Sequence, residues 1–403
     1  MNKNNTLFWL LSIIFFGCCL QLLFLFVFMN PHVLEWFDPN DYYSIAKSLA
    51  GGNSYSIDIN NLYRSPGYPY FLSFIISVVG SNILFIRLVH IGFYAIFLIG
   101  VYYLGKEWKG VKFGLLLTFI CSLYPYFIYL PLTLYPEALL IFISSWIIYF
   151  LLRIVNSFSY YNLFIACFFI SVGVLTRPTY IIIAFTFLLY LIVTKALFLN
   201  KLKVLVFLII IPVSILSSWG YRNLKMHDHF IISTAGNKNL YLSFNENATI
   251  YTKSDCPIPE KTQKKLALAK NIFEQDSIYK ASAIEFIKQN KLHSFYLASV
   301  RVIDLWNPIP HTSTNYSLLK KILSSIPYSM VLLFSFLGFY SLRKESFSYL
   351  LIAIFVLNTI ANGIFAASVR YRLIFDIILI MFATYYLYSL ALRYKEKKLQ
   401  LRI

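Results

Sequence analysis

Apolar residues gather in this chain into runs of membrane length, divided by short polar stretches that hold most of the charge. The first run, Leu7 to Met29, carries no charge and is long enough to cross a bilayer as a helix. It is too long for the apolar part of a signal peptide, and no small-x-small cleavage site follows it. It therefore reads as a retained first helix. Further runs at 82–104, 112–130, 132–152, 161–177, 179–199, 203–221, 323–342, 347–367 and 372–392 predict nine more spans.

Two longer stretches interrupt the runs. Residues 30–81 form a first outer loop, and residues 222–322 are the most polar part of the chain. The pattern thus predicts an N-terminal membrane module (1–221), an extracytoplasmic loop region (222–322) and a three-helix C-terminal segment with a basic tail (323–403). Within the polar region, Pro259–Gln275 reads as a Lys-rich helix. Ser277–Phe295 reads as an amphipathic one, with Ile278, Ala281, Ile284 and Ile287 on one face. The absence of an internal repeat argues against an inverted-repeat transporter. The expected fold class is an all-α polytopic membrane protein, a bundle of about ten helices with interfacial helices in the first outer loop.

Charge gives the bundle a direction. An even number of spans puts both termini on one side, and Lys3, Lys106, Lys109, Lys112, Arg153, Lys195, Lys201, Lys203, Arg343, Lys344, Arg393, Lys395, Lys397, Lys398 and Arg402 all fall there. The positive-inside rule makes that side cytoplasmic. Asp38, Asp41, Asp58 and Glu137 fall on the other side, and only Glu107, Glu345 and Glu396 lie in cytoplasmic loops. The net charge of +18 therefore requires no nucleic acid: it is largely orientation signal, and a basic outer face can also attract lipid phosphates. Cys18, Cys19, Cys121 and Cys167 fall inside spans and Cys256 stands alone, so no disulfide framework or metal cluster is indicated. No Gly-rich nucleotide loop is present either.

The candidate chemistry begins at Asp38-Pro-Asn-Asp41-Tyr42-Tyr-Ser-Ile45-Ala46, just beyond the first span. Asp38 before Pro39 suits a helix N-cap, Asp41 a capping-box position, and Gly51-Gly52 a helix end, so a short interfacial helix is expected. Asp38 is then either a cap or a functional acid. Two carboxylates at a lipid boundary favour function. Tyr63-Arg64-Ser65-Pro66-Gly67-Tyr68-Pro69 follows, either as a turn with aromatic anchors or as an arginine set beside those carboxylates. Leu134-Tyr135-Pro136-Glu137 puts a third acid at the next outer turn, where Glu also suits a helix start. Arg177, Arg222, Arg370 and Arg372 each lie at an outer membrane end. Singly each reads as a snorkelling residue; together they break the charge rule repeatedly.

In order, these motifs resemble those of the GT-C class of integral-membrane glycosyltransferases, of the protein-mannosyltransferase and aminoarabinose-transferase type. The resemblance rests on Asp38-x-x-x-Tyr42-x-x-Ile45-Ala46, Arg64-x-Pro66-Gly67-Tyr68-Pro69, Leu134-x-Pro136-Glu137, Leu175-x-Arg177-Pro178, Tyr221-Arg222-Asn223 and Arg370-Tyr371-Arg372. It implies Asp38 as general base, with Asp41 and Glu137 as further acids of the site. Arg64, Arg177, Arg222, Arg370 and Arg372 would bind a lipid phosphate, and Tyr42 and Tyr68 belong to the interfacial motif. A divalent cation on Asp38 and Glu137 is also implied, although Pro39 stands where many members carry a second acid. The expected activity is transfer of a sugar from a polyprenyl-phosphate donor to a glycan, lipid or protein acceptor outside the cytoplasm, at the cell membrane. A polysaccharide polymerase or ligase and a lipid or glycan transporter are the alternatives.

Overall fold

The computed structural model describes residues 2–34, 37–55, 62–194, 200–249, 257–309, 318–365 and 369–400. Asp58, Lys195, Cys256 and Arg402, and the ends of the runs predicted at 179–199 and 347–367, lie outside them. Among the described residues the regular structure is entirely helical. After α1 (Lys3–Phe28) come two helices of the first outer loop, α2 (Phe37–Ala50) and α3 (Gly67–Val79). Then follow α4 (Ile83–Lys109), α5 (Val111–Leu123), a single turn α6 (Pro125–Tyr129), α7 (Glu137–Asn156), α8 (Tyr160–Thr176), α9 (Ile181–Val193) and α10 (Lys201–His227). The polar region forms α11 (Ala235–Ser243), α12 (Glu260–Ala267), α13 (Ile272–Gln289) and α14 (Lys291–Leu305). The last three helices are α15 (Leu318–Leu342), α16 (Ser346–Phe365) and α17 (Val369–Gln400).

Each predicted apolar run is helical, but not each is a full span. Among the described residues seven helices are long and apolar enough to cross a membrane, or eight if α5 and Pro125–Thr133 form one bent crossing. The run at 112–130 turns by 69° after Leu123, where Pro125 and Pro131 remove two backbone donors. The runs at 161–177 and 179–199 appear as α8 and α9, of 17 and 13 residues. The chain is a multi-pass membrane protein.

α4 is the central helix, packed along α5 and α7. It approaches α5 so closely that a Cβ added at Gly105 would lie 2.8 Å from the Gly114 Cα, a small-residue contact of the kind that joins membrane helices. At one end, Lys109 pairs with Glu345 at 2.6 Å and Arg153 with Glu107 at 3.3 Å, gathering the ends of α4 and α7 with the α15–α16 turn. The first outer loop and the starts of α7 and α17 lie at the other end.

The polar region is divided differently from expectation. Asn271 caps α13 by accepting from the amides of Phe273 and Glu274, and a break at Asn290 separates α13 from α14. This region is fastened to the bundle. Ser243 donates to the Phe365 carbonyl at 2.6 Å, and the wholly buried Arg301 of α14 donates to the carbonyls of Ser243 and Thr249.

Candidate active site

α2 begins at Phe37, so Asp38 lies inside its first turn and not at the cap position. Tyr42, Ile45 and Ala46 are buried beneath it, which turns the carboxylates of Asp38 and Asp41 toward the chain that follows. There Arg64 meets both. Its Nη2 donates to Asp38 Oδ1 at 2.6 Å and its Nε to Asp41 Oδ2 at 2.6 Å, with Tyr42 beneath the guanidinium at 4.8 Å. Asp41, read from the sequence either as a cap or as a further acid of the site, is therefore an arginine partner. Gly67 sets the approach of this segment to α8. A Cβ there would collide with Thr176 Oγ1 and stand 2.8 Å from the Thr176 amide nitrogen. Only glycine lets this segment pass so close to Thr176, the neighbour of Arg177.

The second half of the site comes from α7, α8 and α17. Leu134 adopts a left-handed conformation (φ 57°), uncommon for a branched side chain, and the turn it makes delivers Tyr135 and Glu137 together. Glu137 is 1% exposed, and its Oε1 accepts from Arg177 Nη2 at 2.6 Å and from Arg370 Nε at 3.4 Å. Arg370 also reaches Asp38 Oδ2 at 3.0 Å and lies 3.6 Å from the centre of the Tyr135 ring. The Arg177 guanidinium is 4.4 Å from the Tyr371 ring, and its buried Nη1 makes no hydrogen bond to a described residue. Three carboxylates and three guanidiniums from distant parts of the chain thus form one connected cluster.

Burial works to raise the Asp38 carboxyl, but the charges of Arg64 and Arg370 outweigh it and hold the group below the usual carboxylate range. Asp38 is an anion at neutral pH. Tyr63, roofed by Asn239 and Lys238 of α11, is pushed up to about 12 by burial. The Arg370 guanidinium lies between Asp38 and Glu137 and donates to an oxygen of each. No group of three or more His, Cys, Asp or Glu side chains among the described residues is placed to hold a metal ion. The donor set does not fit a divalent cation, and no step of the reaction is assigned to one.

Two expected phosphate ligands lie elsewhere. Arg222 stacks on Trp219, donates to the Tyr55 carbonyl and to Asn223 Oδ1, and so borders the cluster without joining it. Arg372 is wholly buried. It faces Asp376 at 3.3 Å, the Tyr328 ring at 3.5 Å and the Leu305 carbonyl at 2.9 Å, while Tyr124 donates to Asp376 at 2.6 Å. Tyr42 and Tyr68 are buried edge to face under α2. Tyr135 and Tyr371, which support two of the arginines, stand inside the sequence motifs but were given no role there; the available signal was an aromatic residue within two positions of a motif charge.

Residues 63–219 match the family model of the dolichyl-phosphate-mannose-protein mannosyltransferases. Among solved structures, the archaeal oligosaccharyltransferase AglB of Archaeoglobus fulgidus, in complex with an inhibitory peptide and a dolichol-phosphate, superposes with a TM-score of 0.55 at 14% identity. That likeness covers 98% of this chain and 52% of the other. The apo form of the Archaeoglobus fulgidus oligosaccharyltransferase gives 0.58 at 14% identity, over 95% and 50% of the two chains. A third structure of that enzyme, with zinc and sulfate, gives 0.55 at 15%, over 98% and 50%. No curated protein matches the chain in sequence. The chain therefore shares the fold of these oligosaccharyltransferase structures over nearly all of its length. It spans about half the length of the solved proteins it resembles.

Proposed function

We propose that this chain transfers a sugar from a polyprenyl-phosphate carrier to a glycan, lipid or protein acceptor on the extracytoplasmic face of the cell membrane. The observation that carries the reading is the single cluster formed by Asp38, Asp41, Glu137, Arg64, Arg177 and Arg370. The basic helix ends lie at the opposite end of the bundle, and the positive-inside rule assigns that end, with both termini, to the cytoplasm.

In this reading Asp38 takes the proton of the acceptor hydroxyl as its oxygen attacks the anomeric carbon. The bond from that carbon to the carrier phosphate breaks, and the phosphate leaves with the bonding pair. Arginine suits the leaving group because a guanidinium offers paired donors to phosphate oxygens. Arg177 and Arg370 would take that role, with Glu137 orienting both and Asp41 holding Arg64 against Asp38. A groove of about 340 Å³ between α3, α8 and α10, lined by Pro66, Tyr70, Leu175 and Trp219, would take the first isoprene units. A polymerase or ligase would use the arginines but has no need of carboxylates in the first loop. The pairing of both with Arg64 favours the transferase.

The test is transfer from radiolabelled polyprenyl-phosphate monosaccharides in proteoliposomes, comparing wild type with Asp38→Asn. Loss of a general base costs about 10²- to 10⁴-fold in rate. A folded Asp38→Asn protein that transfers as fast as wild type rejects Asp38 as the base.

A further inference from the structure

At the end of the molecule opposite the carboxylate cluster, α4, α7 and the start of α8 enclose a second cavity, of about 430 Å³. Tyr103, Trp146 and Tyr149 form its aromatic walls, and Arg153, Ser159 and Asn162 its polar side. Arg153 follows Glu137 by sixteen positions on α7 (153 − 137), which at 1.5 Å per residue sets this cavity roughly 24 Å from the transfer site along the helix. The level is that of the other leaflet.

Its chemistry is that of an anion site open to lipid. Arg153 Nη1 is held by Glu107 at 3.3 Å, while its Nε is buried with no hydrogen-bond partner, and so is Trp146 Nε1. Ser159 precedes α8 without capping it, so the first amides of that helix add donors on the same side. Two lysines rest on aromatic rings next to the lining: Lys106 Nζ lies 5.8 Å from the ring centre of Tyr103, which lines the cavity, and Lys203 Nζ 5.6 Å from that of Tyr160, between the lining residues Ser159 and Tyr161. Three cations thus stand against the one carboxylate of Glu107. Beside the mouth, α8 presents Tyr161, Phe164 and Phe168 as exposed apolar surface. A free anion would have no use for that surface; acyl chains would.

We propose that this cavity binds the headgroup of an anionic phospholipid, its phosphate on Arg153 and its chains along the exposed face of α8. The site is independent of the sugar-transfer reading. The test is native mass spectrometry of the detergent-purified protein, offered equal amounts of phosphatidylglycerol and phosphatidylcholine. Wild type should retain one phosphatidylglycerol in preference. Arg153→Gln should weaken that retention about fivefold or more, and Lys203→Gln, at the exposed rim, about two- to fivefold. Lys203→Gln removes no contact with a buried group and keeps the test usable if Arg153→Gln misfolds. Equal retention of the two lipids by wild type, or an unchanged preference in Lys203→Gln, overturns the proposal. Displacement of the retained lipid by millimolar inorganic phosphate overturns it as well, since a free anion would then suffice.

Discussion

Replacing Arg370 by glutamine removes the guanidinium that joins Asp38 to Glu137. Its stability cost divides between two unequal partners. Glu137 is almost wholly enclosed, and breaking a buried ion pair costs about 3–5 kcal/mol. Arg177 remains on Glu137 at 2.6 Å, so the share of Arg370 lies toward the lower figure, about 2–3 kcal/mol. Asp38 is one-third exposed and keeps Arg64, which reduces that contact to about 1 kcal/mol or less. The folded protein should survive a loss of about 3 kcal/mol with a lowered thermal midpoint. The catalytic cost is separate. If Arg370 stabilises the charge that builds on the leaving phosphate, its loss should lower kcat by about 10²–10³. Arg370→Lys keeps the charge without a fork that reaches both acids, so it should recover stability better than rate. The assay is steady-state transfer in proteoliposomes, with thermal unfolding in detergent followed in parallel. A folded Arg370→Gln protein whose kcat stays within about threefold of wild type would refute the reasoning.

Asp38 is held as an anion by Arg64 and Arg370, so its folded pKa lies below the unfolded one, and its contribution is present above the unfolded value and fades as pH falls through the folded one. The acid limb of the transfer profile should lie below the ordinary aspartate range, and Arg64→Gln should move that limb upward; an unmoved limb would separate Asp38 from the reaction. Gly67→Ala should destabilise the first loop by about 1–3 kcal/mol through its collision with Thr176, and thermal unfolding in detergent should show a lowered midpoint. Arg372→Met and Asp376→Leu should each destabilise by about 3–5 kcal/mol, whereas the double variant should recover much of that, since neither charge is then left buried alone. Additive losses on thermal unfolding would contradict the pairing.

The helices were legible because membrane length is a strong constraint on apolar runs, and all six clustered residues were legible as charges at membrane ends. Helical phase was harder to read. Arg370 and Arg372 share a motif, yet at 100° per residue they lie about 200° apart, so one meets the carboxylates and the other enters the core against Asp376. Arg222 was misplaced for a related reason: its end of the membrane was readable, but its attachment to Tyr55 and Trp219 depends on how the loop folds back. Asp41 stayed open between a cap and an acid of the site because capping is a local pattern, whereas its partner Arg64 is 23 positions away. The break after Leu123 was foreshadowed by Pro125 and Pro131, but apolarity continues across both and hides the turn.

The bond from Arg370 to Asp38 joins positions 332 residues apart, between the first outer loop and the last helix. Membrane proteins are inserted from the N-terminus as they are made. During synthesis Asp38, Asp41 and Arg64 emerge early, and Glu137 and Arg177 follow. The cluster stays incomplete until α17 arrives. A chain released before that point would hold every acid of the site and lack the arginine that links them. On the proposed reading, such a chain, lacking α17, would be inactive, because Arg370 would be missing from between Asp38 and Glu137.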